Sequence, residues 1–201
     1  MRAELGENMY ISKIVVKNFR RFDSEGIEVI CNSGINIFLG ENNIGKSALI
    51  DSLRLALMAG QYKRNVYVTH DDFHIDKYGV RADQIDIDVF FSGMNREQGC
   101  AFYILTDGED VTKAELHLKY ILQKDSKGND KVREYSTGGP GKNPISSNLY
   151  DNINILYLPA LRNAESDLKP ARGSQLANIL LSFASTDTDR QRVLEAFTAA
   201  N

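Results

Sequence analysis

The sequence predicts an α/β fold, and three features carry that expectation. A short apolar run, INIFLG at 35–40, gives way to a glycine-bearing loop and then to KSALIDSLRLALMA at 46–59. Across that junction the hydrophobic spacing changes from strand-like to helical. Other segments alternate apolar and polar residues, as antiparallel strands with one solvated face do. Composition agrees with a folded chain: 201 residues, 42% hydrophobic and 25% charged. A chain of this length buries roughly 70% of its unfolded surface, enough for one large domain or two small ones.

The elements follow in order. Residues 10–19, YISKIVVKNF, are rich in β-branched and aromatic types and read as a strand. The polar turn RRFDSEG leads to a second strand, IEVIC at 27–31, so the two form an antiparallel hairpin. In 46–59, Leu49, Ile50, Leu53, Ala56 and Leu57 recur at helical spacing, and Gly60 stands where the helix ends. Residues 84–91, 100–105 and 114–122 read as strands, and KDSKGND turns the last of them into a partner, KVREY. Residues 136–148 are loop-like, and Cys100 is expected as a small buried hydrophobe. INILYL at 153–158 reads as a buried strand, followed by helical patterns at 174–183 and about 188–199.

Composition also excludes classes. With 24 basic and 27 acidic residues the net charge is −3, which argues against holding nucleic acid by bulk charge. No stretch approaches the roughly 18 consecutive apolar residues of a membrane span. Cys31 and Cys100 are the two cysteines, too few for a disulfide framework or a zinc site. A reduced, cytoplasmic setting without a membrane partner is the expectation.

Residues 40–47, G-E-N-N-I-G-K-S, match the phosphate-loop pattern G-x-x-x-x-G-K-[ST] in full. Four fixed positions arise by chance in a chain this size about once in a hundred, and the strand before and helix after make coincidence rarer still. Gly40 and Gly45 admit backbone angles and approaches that a β-carbon would block. Amides along Asn42, Asn43, Ile44, Gly45, Lys46, Ser47 and Ala48 then line a nest for the β-phosphate, and the helix N-terminus adds its positive end. Lys46 is expected to reach the β- and γ-phosphates, and Ser47 to hold Mg²⁺, which makes ATP with Mg²⁺ the expected ligand.

Together with K-N-F-R at 17–20, the loop resembles the ABC-type ATPases of the RecF, SMC and OLD (overcoming lysogenization defect) group. D-D-F at 71–73, the strand at 85–91 and L-P-A-L-R-N-A-E-S-D-L at 158–168 extend the resemblance toward OLD proteins. The resemblance implies a P-loop ABC head with a mixed central sheet and an antiparallel β lobe. Its parts are then 10–60 (hairpin, phosphate loop, first helix), 84–135 (β lobe), 136–150 (mobile loop) and 153–201 (core strand and start of a helical subdomain). It further implies that Arg20, with Arg21 as second candidate, contacts the nucleotide, the alternative being solvated turn residues. Arg162 lies either at the ligand crevice or on the surface, paired with Glu165 or Asp167. ATP sandwiched in a homodimer and DNA as a partner come from the resemblance alone.

ABC hydrolysis also needs a strand ending in Asp-Glu (Walker B), a signature loop and a switch histidine, and OLD proteins add a Toprim nuclease site. None is recognisable in these 201 residues. The expectation is therefore the N-terminal portion of a longer ATPase, with two rival readings: a non-catalytic nucleotide sensor and a transporter-type ABC subunit. Three lookalikes are set aside. His70 and His74 have zinc-protease spacing without the helix or the glutamate, Asp86 and Asp88 lack the companions of a Toprim site, and Gly138 to Lys142 lack a Ser or Thr after the lysine.

Overall fold

In the computed structural model, which describes residues 9–59, 64, 66–153, 155 and 157, the alternating segments pair into one six-stranded sheet. Its strands are β1 (Tyr10–Lys17), β2 (Ile27–Ile30), β3 (Gln84–Ser92), β4 (Ala114–Lys124), β5 (Asp130–Gly138) and β6 (Asn143–Pro144), in spatial order β2-β1-β3-β4-β5-β6. Every pairing among them is antiparallel. The chain divides into two compact units, Met1–Ile153 and Asn154–Asn201, and this sheet belongs to the first.

Register follows from the period-two pattern. Ile14 opposes Val89, and Val89 opposes Leu116; Val16 opposes Ile87, and Ile87 opposes Leu118. These rows put Ile14, Val16, Ile85, Ile87, Val89, Leu116, Leu118 and Tyr120 on one buried face. A one-residue slip would turn all of them to solvent, so burial itself fixes the register. Helix α1 (Lys46–Leu57) packs its buried stripe of Leu49, Ser52, Leu55 and Ala56 against β3 and β4. Ile50 and Leu53, expected on that stripe, are only half-buried. Ser52 takes a core position instead because its hydroxyl donates to the Leu49 carbonyl at 2.7 Å, leaving no unsatisfied polar atom.

Four expectations change. The antiparallel segments after residue 84, expected to flank the hairpin, are continuous with it, because β3 pairs directly with β1 in one sheet. Residues 100–105 are not a strand but fall in α2 (Arg96–Ala101) and a 3₁₀ turn at Tyr103–Leu105. Asn95 caps α2 reciprocally with Gln98, and Phe102 and Leu105, three apart, are the buried residues there; that is helical spacing. Cys100 is consequently exposed on α2. The segment from 136 onward is bonded structure: β5 continues to Gly138, a turn closed by the Lys142 amide on the Gly139 carbonyl leads to β6, and a 3₁₀ helix follows at Ser147–Asn152.

The fourth change matters most for function. Residues 35–39 form no strand, and Ile35, Ile37 and Leu39 are 90%, 73% and 89% exposed. A strand is defined by its neighbours, and this run has none among the described residues. The strand expected at 153–158, the later helices and Arg162 lie outside the described residues, save for Ile153, Ile155 and Tyr157.

Candidate phosphate-binding site

The loop 40–47 leads the chain from the exposed run 35–39 into α1. Gly45 is the N-cap of α1 at φ 113°, a left-handed conformation that glycine adopts without steric cost. Asn43 is also left-handed, at φ 68°, a conformation asparagine tolerates better than most residues. No side chain caps the helix and its first turn holds no acidic residue. The amides of that turn have no intrahelical acceptor, so they remain donors for an anion at the positive end of the helix.

The remaining residues are arranged around that end. Lys46 arches back over the loop, its Nζ donating to the carbonyls of Gly40 at 2.6 Å and Glu41 at 2.6 Å. Ser47 is exposed on the first turn, whereas Ala48 is buried and anchors the helix start in the core. Asn42 and Ile44 are exposed, and Gly40 lets Ile44 fold close, since a β-carbon there would stand 3.1 Å from the Ile44 side chain. The loop thus supplies what a phosphate needs: open amides, a helix end without competing carboxylate, and a lysine over the mouth. A hydroxyl at Ser47 is the fitting donor type for Mg²⁺.

Sequence reasoning missed Phe22. Its ring lies where a β-carbon on Gly45 would fall, 2.9 Å away, so the aromatic packs directly on the glycine cap. The signal was the second phenylalanine of N-F-R-R-F, two residues beyond the motif quoted for the resemblance.

Arg20, expected as a nucleotide contact, is held by two carboxylates. Its Nε donates to Asp72 at 2.8 Å and an Nη to Asp51 at 2.7 Å, while Asp51 also accepts from Arg54 at 2.8 Å. Burial works against the Arg20 charge, but the hydrogen bonds to Asp72 and Asp51 outweigh it and raise the guanidinium further above its ordinary value. Arg21 is exposed. His70 and His74 do not converge: His70 Nε2 lies 3.2 Å from Asp130, and His74 Nδ1 meets the Arg20 carbonyl at 2.8 Å. Asp86 and Asp88 are taken by cross-strand partners, Lys119 at 3.7 Å and His117 at 2.7 Å.

A glycine loop of this pattern capping a helix that packs on a sheet defines a P-loop NTPase. The chain belongs to the AAA domain family, whose profile matches residues 13–196. The DNA replication and repair protein RecF of Thermoanaerobacter sp. (strain X514) is 38% identical over 74 residues, 37% of this chain and 20% of that protein. RecF of Thermoanaerobacter pseudethanolicus (strain ATCC 33223 / 39E) matches to the same extent, so the match spans about a fifth of the curated relatives' length. Among solved structures, an Smc head bound to the C-winged helix domain of ScpA aligns with a TM-score of 0.55 at 15% identity, covering 94% of this chain and 55% of that one. The Smc head domain with coiled coil and joint from Pyrococcus yayanosii gives 0.55 at 16%, covering 96% and 36%. A chain from work on ATP-driven dimerization and DNA-stimulated activation of SMC ATPases gives 0.52 at 15%, covering 94% and 99%. The fold is that of an ABC-type ATPase head of the RecF/SMC group. Among the described residues no helix is long and apolar enough to cross a membrane.

Proposed function

We propose that the chain binds ATP with Mg²⁺ through residues 40–48 and forms the N-terminal portion of a RecF/SMC-type ATPase head acting in DNA processing. The observation that carries this reading is the left-handed Gly45 cap of α1, with no acidic residue in the first turn and Lys46 folded over the loop. In the complete head, ATP would be held between two copies and hydrolysed. An OLD-type role in phage defence is the finer form of this proposal, supported by the D-D-F and L-P-A-L-R segments.

Titration of Mg·ATP onto the chain tests it. Lys46→Ala should abolish binding, and Ser47→Ala should weaken binding with Mg²⁺ more than binding in its absence. Equal loss for Ser47→Ala with and without Mg²⁺ would remove Ser47 from the metal role, and undiminished binding by Lys46→Ala would sink the site. A second reading, a nucleotide sensor without turnover, is favoured by the lack of a recognisable Asp-Glu strand in the sequence. Binding without single-turnover hydrolysis supports it, and robust turnover by this chain removes it.

A further inference from the structure

The turn at 70–74 has no part in the phosphate loop, yet it holds the segment that does the holding. Backbone bonds clasp it to the turn after β1: Arg20 N donates to the Asp72 carbonyl at 2.7 Å and His74 N to the Asn18 carbonyl at 2.9 Å. Arg20 itself is left-handed at φ 52°, a conformation an arginine keeps only when its surroundings over-determine it. Its guanidinium then forks between two carboxylates, Nε to Asp72 and an Nη to Asp51. The other Asp72 oxygen accepts from the Thr69 amide at 2.8 Å and hydroxyl at 3.0 Å. Asp51 lies one helical turn beyond Ser47, on the helix that the loop caps, and Phe22 from the same turn rests on Gly45.

We propose that Asp72 is a positioning residue for the nucleotide site, acting through Arg20: it fixes the guanidinium on Asp51, so that Arg20 and Phe22 together pin α1 and its glycine cap to the end of β1. The proposal rests on the nucleotide reading of the loop. It assigns Arg20 to the frame of the site, with no phosphate contact of its own. The fork explains why arginine is required, since a lysine ammonium cannot span two carboxylates that approach different guanidinium nitrogens.

The test uses the full 201-residue chain and fluorescent ATP and ADP, with Lys46→Ala as reference. Because Arg20→Ala would leave the buried Asp72 unpaired and endanger folding, the informative variants are Asp72→Asn, Arg20→Lys and their combination. Each single change should weaken ATP and ADP by the same factor, about tenfold, and the double change should be no worse than either, as for residues acting as one unit. Hydrogen exchange should rise at the Leu49 amide, which bonds the Gly45 carbonyl at 2.9 Å, and along the first turns of α1, and stay unchanged in β3 and β4. If Asp72→Asn instead tightens ATP binding or leaves it unaltered, or Arg20→Lys costs more for ATP than for ADP, then Arg20 serves the phosphates directly and the proposal falls. A rise in exchange throughout β3 and β4 would make Asp72 a general stabilising residue and also overturn it. Should the unmodified chain bind no nucleotide, the ligand reading fails, while exchange at Leu49 and the first turns of α1 still decides whether Asp72 positions the helix start.

Discussion

The sheet and the phosphate-loop corner are built on opposite terms. In the sheet, β1, β3 and β4 each have a neighbour on both sides, and their inward residues Ile14, Val16, Ile85, Ile87, Val89, Leu116 and Leu118 are at most 1% exposed. At the corner the lead-in run has no neighbour among the described residues, and Ile35, Ile37 and Leu39 stand open to solvent. The loop between them is nonetheless shaped, because local chemistry suffices: a left-handed glycine cap, a lysine bonded across the loop and an aromatic ring beneath. The sheet has the burial that supports a fold. The corner has the geometry that supports binding, and draws its rigidity from the Arg20 and Phe22 turn.

The largest expected effect separates the two regions directly. Leu118→Ala removes a fully buried side chain from the centre of β4 and should cost about 2–5 kcal/mol, read as a lowered urea midpoint. Ile37→Ser, a comparable loss of apolar area in an exposed residue, should change stability by about 0.5 kcal/mol or less. A large loss for Ile37→Ser would show that the run is covered in solution, and the contrast would collapse.

Gly45→Ala probes the corner alone and should come next in size. It places a β-carbon at φ 113° and against the Phe22 ring, costing about 1–3 kcal/mol of backbone strain with weakened nucleotide binding. Adding Phe22→Ala removes the collision but not the strain, so binding should recover in part. Full recovery would mean that the ring contact, and not the backbone angle, limits the site.

These contrasts explain what was legible in the sequence. The phosphate loop was readable because its demands are local: glycines at 40 and 45, Lys46 and Ser47 within eight residues, then a helix. β3 and β4 were readable because alternation survives in sequence whatever the partner, and β1 because its residues are β-branched and aromatic. The run at 35–39 misled because its composition is that of a strand, while pairing depends on residues far away. Residues 100–105 misled because Phe102, Tyr103 and Ile104 are β-formers by type, whereas the Asn95–Gln98 cap upstream decides for helix. The carboxylate contacts of Arg20 were hidden for a third reason. Its partners Asp51 and Asp72 are 31 and 52 residues away, and no spacing rule links them.

The smallest effect lies on the outer face of the sheet, far in kind from the loop. His117 Nδ1 is 2.7 Å from Asp88 on β3 and Nε2 is 3.4 Å from Glu115 on its own strand, with Thr137 opposite on β5 and the edge of the Phe90 ring beside it. The hydrogen bond to Asp88 raises the imidazole pKa against the opposing effect of burial, the Asp88 and Glu115 charges add to the rise, and Lys142 opposes it. A folded pKa above the unfolded value of about 6.5 means that the unfolded state loses this proton first as pH rises. The stabilisation is therefore full below about pH 6.5 and disappears as pH climbs through the raised folded value. Its size should be about 1 kcal/mol or less, as for a single ion pair at a solvated face. Urea midpoints measured from about pH 5.5 to 8.5 should show the unmodified chain losing its advantage over His117→Gln with increasing pH. A difference that stays constant across that range would show that the imidazole carries no charge there, and that this face is held by cross-strand packing alone.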